Sequence, residues 1–432
     1  MTSYPIQCVE WSQEPSFGMV ATASKAPDMS LGTWTAVLAE QADFIGDLSE
    51  PGLPLNLVRT DSHRYPDDYA AVVNRTSGAL WGASPGERVQ CWRGRVRLRV
   101  PAYTPGANGP YLLYWLHQML TTSMDVSAPT VETDTVAGVG TSTTFTATAP
   151  GDYEIGRGIA VTINNATEYA IVTDIAGAVI TYSPSTSRAL LMGERIRHCQ
   201  TLYRALGTSL ATGALRFNYN GRRYASFGCR LAEVGIDYVD GAAYLDLVFD
   251  SAVTLRDDSG ATLTAWTEPG GSLVQFAQGA HVLGSTVIGS TVPATLTRGP
   301  LSLHSWSAKW TFALAGVGGG KDSILGRSQT EITDSMLEVT LEAEPSSTLD
   351  QMYRKREQRI LALGAGHIGE GAVFDAHGFG LVVPAAQMTR GAGFGEREGR
   401  HALSCVFTAG RWALDDATGA AARSPWRWLW PV

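Results

Sequence analysis

Two glycine-rich stretches are the first places where this sequence could bind a phosphate group. Residues 316–322 lack the first glycine of a phosphate-binding loop at the required spacing, and Asp322 stands where Ser or Thr would hold magnesium. Residues 391–395 are followed by Glu396, where the dinucleotide fingerprint requires glycine. We therefore interpret the first stretch as a surface loop and the second as a hairpin tip, and we predict no cofactor.

Residues with catalytic or metal-binding chemistry are scattered along the chain. The eight histidines form no HxH or HExxH pattern, and no GxSxG elbow is present. The carboxylate pairs Asp257–Asp258 and Asp415–Asp416 fall in polar segments, where solvation keeps carboxyl groups ionised. We predict no catalytic residue, no metal site and no enzymatic activity. A hydrolase whose site is assembled from distant residues remains an alternative.

The five cysteines are far apart and include no CxxC pair, which favours buried reduced thiols over disulfides or zinc ligands. They are Cys8, Cys91, Cys199, Cys229 and Cys405.

Composition indicates a β-rich protein with many turns. Of 432 residues, 44% are hydrophobic, only 17% are charged, and 47 are glycine. The net charge of −8 argues against tight binding of nucleic acid through phosphate neutralisation. We expect no signal peptide, because the first 11 residues lack a basic region followed by an apolar run. The sequence has no apolar stretch of the roughly 18 residues that span a membrane, so we expect no membrane partner.

One strand–helix–strand unit dominates the second half of the sequence. Leu337, Val339 and Leu341 alternate with polar residues, which predicts a half-buried strand. The apolar spacing then changes to a helical period and predicts a helix over residues 349–363, stopped by Gly364. A second strand follows the helix.

The same unit occurs earlier in the chain. Val96, Leu98 and Val100 alternate with three arginines, which predicts a half-buried strand with a basic outer face. Pro110 then starts a predicted helix over residues 111–120 that is apolar nearly all round. Residues upstream of this unit are richer in loops, such as the predicted extended loop over residues 43–56.

Spacing supports an internal duplication. A shift of 241 positions gives the pairs His63/His304, Tyr65/Trp306, Tyr69/Trp310, Val96/Leu337, Leu98/Val339 and Val100/Leu341. Shifts of 157 and then 158 give the pairs Phe217/Phe374, Gly221/Gly378, Val248/Val406 and Phe249/Phe407. The drop from 241 to 157 leaves roughly 84 extra residues in the first copy. They coincide with a segment rich in Thr, Ser, Ala and Gly.

These observations predict a mainly β protein with a few helices, built from two tandem β-sandwich or barrel-forming domains with one packed helix each. The first domain covers residues 1–258 and is interrupted by a small all-β insert at residues 124–200. Residues 259–271 form the linker, and residues 272–432 form the second domain.

One sheet face of the first domain is acidic. Its four acidic side chains are candidates for the lining of a channel, and they are Glu233, Asp237, Asp246 and Asp250. Two interpretations remain open: an ordinary solvated face, or a negative lining that repels DNA phosphate. The equivalents of Asp246 and Asp250 in the second domain are Ser404 and Thr408, so the acidic pattern holds for one copy only.

The C-terminal segment is unusually aromatic. Trp426, Trp428 and Trp430 either fold back onto their own domain or anchor a contact with another subunit, where Trp and Arg are favoured. We retain all three as candidate subunit contacts.

The order of elements resembles the tail tube proteins of long-tailed, siphovirus-like bacteriophages. The resemblance is carried by the alternating strand and Pro-started helix, then by glycine-containing strands at residues 219–221 and 227–229 leading to residues 245–249. The Thr-rich insert, with its strands near residues 169–173 and 179–181, resembles small β-domains that decorate such proteins.

The resemblance implies a structural virion protein. Family members join their sheets into a closed barrel around a DNA-conducting lumen, usually as hexameric rings. Two copies per chain then imply homotrimeric, pseudo-six-fold rings stacked into a tube, with the tape measure and other tail proteins as partners. DNA would pass without sequence-specific binding. The expected location is the phage tail, with assembly in the host cytoplasm. A carbohydrate- or surface-binding β-sandwich is the main alternative.

Overall fold

The computed structural model of this chain is mainly β, with two antiparallel sheets, one curled into a half-barrel, and almost no helix. The mainly β fold class is thus confirmed. The structure describes residues 9–14, 35–37, 41–46, 69–71, 87–89, 94–101, 124–127, 133–164, 166–204, 212–219, 222–239, 242–251, 253–256, 281–286, 299–300, 303–317, 329–368, 376–397, 400–410 and 426–431. The predicted helix at residues 111–120, the linker at residues 259–271 and the pair partner Phe374 lie outside these parts.

Twenty-five strands and one α-helix are described. The chain starts with β1 (Val9–Glu14), β2 (Thr35–Val37), β3 (Gln41–Gly46), β4 (Tyr69–Ala71), β5 (Glu87–Val89) and β6 (Gly94–Pro101). The insert region contains β7 (Met124–Ser127), β8 (Thr133–Thr135), β9 (Thr144–Thr146), a 3-10 turn (Pro150–Asp152), β10 (Gly158–Ile163), β11 (Ala166–Ala176), β12 (Val179–Ser183) and β13 (Arg195–Arg204). The first half then continues with β14 (Thr212–Tyr219), β15 (Arg222–Val239), β16 (Ala242–Ser251) and β17 (Val253–Arg256). The second half contains β18 (His281–Thr286), β19 (Gly299–Pro300), β20 (Leu303–Val317), β21 (Gln329–Ala343), α1 (Ser347–Lys355), β22 (Gln358–Ile368), β23 (Ala376–Arg397), β24 (Arg400–Ala409) and β25 (Arg427–Pro431).

The two alternating strands of the sequence are strands in the structure. In β6, Val96 and Leu98 are buried while Arg97 between them is exposed. In β21, Leu337 and Val339 are buried in the same way. Period-2 alternation therefore identified the core face of both strands correctly.

The helix predicted over residues 349–363 is wrong in its second part. The side chain of Ser346 caps α1 by accepting a hydrogen bond from the Leu349 amide at 3.2 Å. The helix ends where Arg356 adopts the left-handed conformation, eight residues before the predicted stop at Gly364. The chain then enters β22.

Strand β22 was missed because both of its faces are buried. Leu361 and Leu363 pack in the main core, while Ile360 and Ala362 pack in a separate cluster on the opposite face. An apolar run without alternation has no strand period to recognise, so it was assigned to the preceding helix.

The two halves use the same strand-pairing scheme. In the first half, β1 pairs with β2 and β14, β14 with β15, β15 with β16 and β17, β16 with β6, and β6 with β3. In the second half, β18 pairs with β19 and β22, β22 with β23, β23 with β24 and β25, β24 with β21, and β21 with β20. Each of these seven pairings of one half thus has a counterpart in the other.

The registers of the matching hairpins also agree. The β15–β16 hairpin closes with Val239 opposite Ala242, and the β23–β24 hairpin closes with Arg397 opposite Arg400. Both positions differ by 158, the shift obtained by comparing the sequences of these segments.

The shift of 241 fails in the structure. At β6 the paired strands give a shift of 243, because Phe249 lies opposite Val96 and its counterpart Phe407 lies opposite Val339. The predicted pairs Val96/Leu337, Leu98/Val339 and Val100/Leu341 are therefore wrong by two residues.

Upstream of β6 the shift of 241 fails altogether. It paired Tyr69 with Trp310, but Tyr69 lies in the separate two-stranded sheet of β4 and β5. Trp310 lies in β20, which pairs with β21 as β3 pairs with β6. The counterpart of β20 is therefore β3, part of which falls in the segment predicted to be an extended loop.

A short junction makes the curled sheet continuous between the halves. Residues Glu233–Ile236 of β15 pair with Ala308–Thr311 of β20. Across the sheet the strands therefore follow in the order β3, β6, β16, β15, β20, β21, β24 and β23. One face of this sheet contributes to a single apolar core shared by both halves.

The insert has its own core and packs on the second half. Its core includes Phe145, Val172 and Tyr182. Strand β13 pairs with β25, and β11 of the insert contacts β22 and β23. The close approach depends on glycine, because a Cβ on Gly380 would lie 2.3 Å from the ring of Tyr169.

Candidate functional site

The face of the curled sheet opposite the core is polar, and we call it the polar face. It is formed by alternate residues of six neighbouring strands, from β6 through β24. Its described charged and polar side chains include Arg97, Arg99, Glu233, Asp237, Asp246, Asp250, Ser305, Ser307, Lys309, Thr311, Glu338, Thr340, Glu342, Ser404 and Thr408.

The structure brings the four candidate acidic residues together on the polar face, but not as a purely acidic lining. Arg99 makes two contacts with Asp246: its Nε lies 2.7 Å from Oδ1, and its Nη2 lies 2.8 Å from Oδ2. The same Nη2 lies 3.5 Å from Oδ2 of Asp237. Strands β6 and β16 are thus neighbours, and the predicted basic face of β6 and the predicted acidic face of β16 form one surface.

The remaining two acidic residues also lie beside basic positions. Lys309 Nζ lies 2.8 Å from Glu233 Oε2, across the junction between the halves. Asp250 lies directly opposite Arg95 in the β16–β6 register. The polar face of the first half therefore carries alternating charge, which lowers its net negative potential.

The second half presents a different set of residues at the matching positions. Ser404 is exposed, and Thr408 is partly exposed. Their neighbouring strand β21 carries Glu338 and Glu342, and Ser305 Oγ donates a 2.6 Å hydrogen bond to Glu342 Oε2. Here the acidic residues stand where β6 has arginines.

The tryptophan segment folds back onto its own chain. Trp426 and Trp428 are buried, and the Trp428 ring centroid lies 3.9 Å from that of Trp310. A fully buried indole has no surface left for a partner, so the anchoring role predicted for Trp426 and Trp428 is replaced by a structural one. Trp430 lies in β25 opposite Gln200, and its subunit contact stays a prediction.

Two borders of the curled sheet have no partner strand within the described parts of the chain. Strand β3 pairs with β6 on one side only. The second part of β23, residues 389–397, pairs with β24 on one side only. The matching part of β15 is covered on both sides, by β16 and by β20. Within the described residues, the sheet therefore ends in two complementary strands, β3 and the second part of β23, whose outer sides have no partner strand.

The glycine-rich residues 391–395 belong to this open border. They were predicted to form a hairpin tip, but they lie inside β23, and Gly393 and Gly395 pair with Ser404 and Ala402. Strand β23 continues to Arg397. Glycine is depleted in strands, so its abundance misled the sequence-based prediction; it also lets another backbone approach closely.

Two of the described thiols, Cys199 and Cys405, are poor nucleophiles. Cys199, Cys229 and Cys405 are buried and form no disulfide, as predicted; Cys8 and Cys91 lie outside the described residues. Burial raises the pKa of Cys405 to about 11 and raises the pKa of Cys199 as well. A thiol with a raised pKa is protonated at neutral pH and reacts slowly.

The insert contains one buried histidine. The His198 ring centroid lies 4.5 Å from that of Tyr153, whose hydroxyl donates a 3.1 Å hydrogen bond to Asp134 Oδ2. Burial lowers the pKa of His198, and the nearby Asp134 opposes that shift.

Within the described residues, no group of three or more His, Cys, Asp or Glu side chains is arranged to hold a metal ion. The same residues include no helix that is both long and apolar enough to cross a membrane. The absence of catalytic chemistry stays a prediction.

Comparison with known proteins assigns no family. No protein-family model matches the sequence, and no curated protein matches it. The function of this chain is therefore inferred from its own geometry.

Sequence reasoning missed the basic partners of the acidic residues. Arg99 is 147 positions from Asp246, so their contact depends on strand order. The signal in the sequence that could have revealed this contact was alternation with apolar residues. Arginines alternate with apolar residues in one strand, and aspartates do so in another.

Proposed function

We propose that this protein is a structural virion protein, the major tail tube subunit of a siphovirus-like bacteriophage. Three chains would close into a pseudo-six-fold ring, and rings would stack into a tube around a DNA-conducting lumen. The observation that carries the proposal is the pair of complementary borders at the two ends of the curled sheet, which are open within the described part of the chain.

The recurring pairing scheme supports a duplicated module. We propose that each copy has one packed helix and that the first carries the small insert. A sheet that already joins two equivalent modules side by side is suited to joining more of them in the same way. Cyclic repetition removes every open border, which is the usual solution for a curled sheet.

The strand pairing within the chain gives the tilt that the strands would have in the ring. Starting at Gly393 and crossing β24 and β21 through paired residues, the row reaches β20 at Ser305. Gly235, the residue equivalent to Gly393, pairs with β20 at Lys309. Each module is therefore displaced along the strands by four residues, or about 13 Å, relative to the module beside it. The width of one module, measured across its four strands, is about 19 Å. These two lengths give a strand tilt of about 35°, within the range of known barrels.

Six such modules would enclose a wide channel. Four strands per module and two modules per chain give 24 strands in three chains. With the spacing and offset above, opposite backbones would be about 45 Å apart. Duplex DNA, whose two grooves are each about 8 Å deep, fits inside this width with room for side chains. The mixed charge of the polar face suits passage of DNA without retention.

Other partners follow from the same assignment. We propose that the tape measure protein and other tail proteins contact the ring, that the location is the phage tail, and that assembly takes place in the host cytoplasm. The carbohydrate-binding alternative is less supported, because the described indoles Trp11, Trp306, Trp310, Trp426 and Trp428 are all buried.

Electron microscopy tests the proposal. Purified protein should form rings with an apparent six-fold outline, stacked into tubes at high concentration. Class averages at low concentration should show the same ring with three-fold symmetry, because the insert occurs once per chain. A particle that stays monomeric over a wide range of salt and protein concentration would refute it.

A further inference from the structure

The junction between the halves is a template for a contact between chains. Val234, Gly235 and Ile236 of β15 lie opposite Trp310, Lys309 and Ala308 of β20. By strand pairing, the counterpart of this part of β15 is the second part of β23, and the counterpart of β20 is β3. Both counterparts have an open side in the described structure.

The counterpart of Gly235 is Gly393. Gly235 lies four residues before Val239, the last residue of β15, and Gly393 lies four residues before Arg397, the last residue of β23. These two strand ends differ by 158 positions. Positions 235 and 393 are both occupied by glycine. The register between Gly393 and the hairpin end is regular, so this equivalence involves no bulge.

The counterpart of Lys309 is found by crossing each sheet through paired residues. In the first half the row starting at Gly235 passes through Asp246 and Arg99 and ends at Gln41. In the second half the row starting at Gly393 passes through Ser404 and Glu342 and ends at Ser305.

Gln41 is therefore equivalent to Ser305. Lys309 lies four residues after Ser305, so its counterpart is Ile45, four residues after Gln41.

We infer that a second copy of this chain pairs its β3 with residues 392–394 of β23, antiparallel, with Gly393 opposite Ile45 and Phe394 opposite Phe44. This inference rests on the proposed ring and specifies its intermolecular register. The glycine-rich composition of residues 391–395 fits, because the border must accept a foreign backbone at strand-pairing distance.

A different register is the direct competitor. The shift of 241 makes Arg99 equivalent to Thr340, and the same construction then places Gly393 opposite Asp43. The two registers differ by two residues. Directly opposite Cα atoms lie about 4.5–5.5 Å apart, whereas diagonal neighbours lie about 7–8 Å apart. A disulfide bridges the first separation and not the second.

Disulfide trapping distinguishes the registers. The variant carrying Ile45→Cys with Gly393→Cys should yield covalent trimers on non-reducing gels, because each chain is linked to the next around a closed ring of three. The variant carrying Asp43→Cys with Gly393→Cys is the matched control and should remain largely uncrosslinked. The parent chain and each single variant, oxidised in parallel, report any contribution of the native cysteines.

Electron microscopy of the same samples separates the inference from the proposed function. Rings with the Asp43→Cys link, or rings with neither link, would overturn the register and leave the tube assignment standing. Absence of both rings and links would overturn both. Hydrogen exchange of the unsubstituted chain is a second measure: amides of residues 41–46 and 391–395 should exchange more slowly after assembly, and unchanged rates would contradict the pairing.

Discussion

Two ion pairs of the first half differ in burial, and therefore in what they contribute to stability. Glu10 is completely buried and accepts a 2.8 Å hydrogen bond from Arg216 Nε across the β1–β14 pair. Arg99 and Asp246 lie on the polar face and keep about a quarter to a third of their side-chain surface exposed. A buried pair that loses one partner leaves an uncompensated charge, whereas an exposed pair is already solvated.

Replacing Glu10 should therefore be far more destabilising than replacing Asp246. We expect Glu10→Ala to lower the free energy of unfolding by about 3–5 kcal/mol. Asp246→Asn should lower it by about 0–1 kcal/mol. Urea unfolding measures both. The double variant Glu10→Met with Arg216→Met should recover much of the loss, because no buried charge is left unpaired. Equal effects of Glu10→Ala and Asp246→Asn would refute this account.

The burial of His198 predicts a pH dependence of the insert. Its folded-state pKa is lowered, so the unfolded chain takes up the proton first, and stability falls as the pH drops through the unfolded value of about 6.5. His198→Phe removes the titrating group and retains a ring beside Tyr153. Melting temperatures measured between about pH 7.5 and pH 5.5 should fall more steeply for the wild type. Parallel slopes would contradict the prediction.

At the scale of elements, the insert is held against the second half by close backbone approach. Strand β13 pairs with β25, and Tyr169 lies over Gly378 and Gly380 of β23. Arg427 of β25 donates a 2.8 Å hydrogen bond from Nε to the Gly156 carbonyl. The insert is therefore continuous with the packing of the module that follows it, although it interrupts the first one.

Gly380→Ala should weaken this contact. The new methyl group would lie 2.3 Å from Tyr169, and the ring is buried on all sides. We expect a loss of about 1–3 kcal/mol in the free energy of unfolding, the usual cost of overpacking. Gly151→Ala is the matched control, because nothing lies within 4 Å of its Cβ. If both variants unfold at the same urea concentration, Tyr169 does not restrict Gly380.

The strands with one buried face were predictable from the sequence, and those in other environments were not. Val96, Leu98 and Leu337 lie in strands whose alternation is unambiguous. Strand β22 is buried on both faces, so its residues were assigned to a helix. The glycine-rich part of β23 was assigned to a turn, because glycine is a stronger local signal for turns than for strands.

The candidate site was predictable only as separate strands. The acidic residues and the basic strand β6 were both recognised, but the sequence does not specify which strands are neighbours. The contact between Arg99 and Asp246 requires β16 to lie beside β6, a pairing that joins residues far apart in the chain. The burial of Trp428 likewise depends on β25 pairing with β13 and β23.

At the scale of the whole molecule, the described strands of the curled sheet end at β3 and at residues 389–397 of β23, and these two ends do not pair with each other. The proposed ring predicts that the smallest closed species contains three chains of 46.1 kDa. Native mass spectrometry at decreasing protein concentration should show trimers dissociating to monomers with little dimer, because a dimer leaves two open borders. A ring of six chains, or a stable dimer, would contradict the proposed number of modules.

The β15–β20 junction has a kinetic consequence. Three of the six module contacts in such a ring form within single chains, where the tether keeps the partner at a high effective concentration. Only three contacts between molecules then have to form. With fewer such contacts, a partly assembled ring has fewer opportunities to fail to close and to grow into an open helical filament. Cutting the chain between the halves should therefore slow circularisation more than it weakens the finished circle.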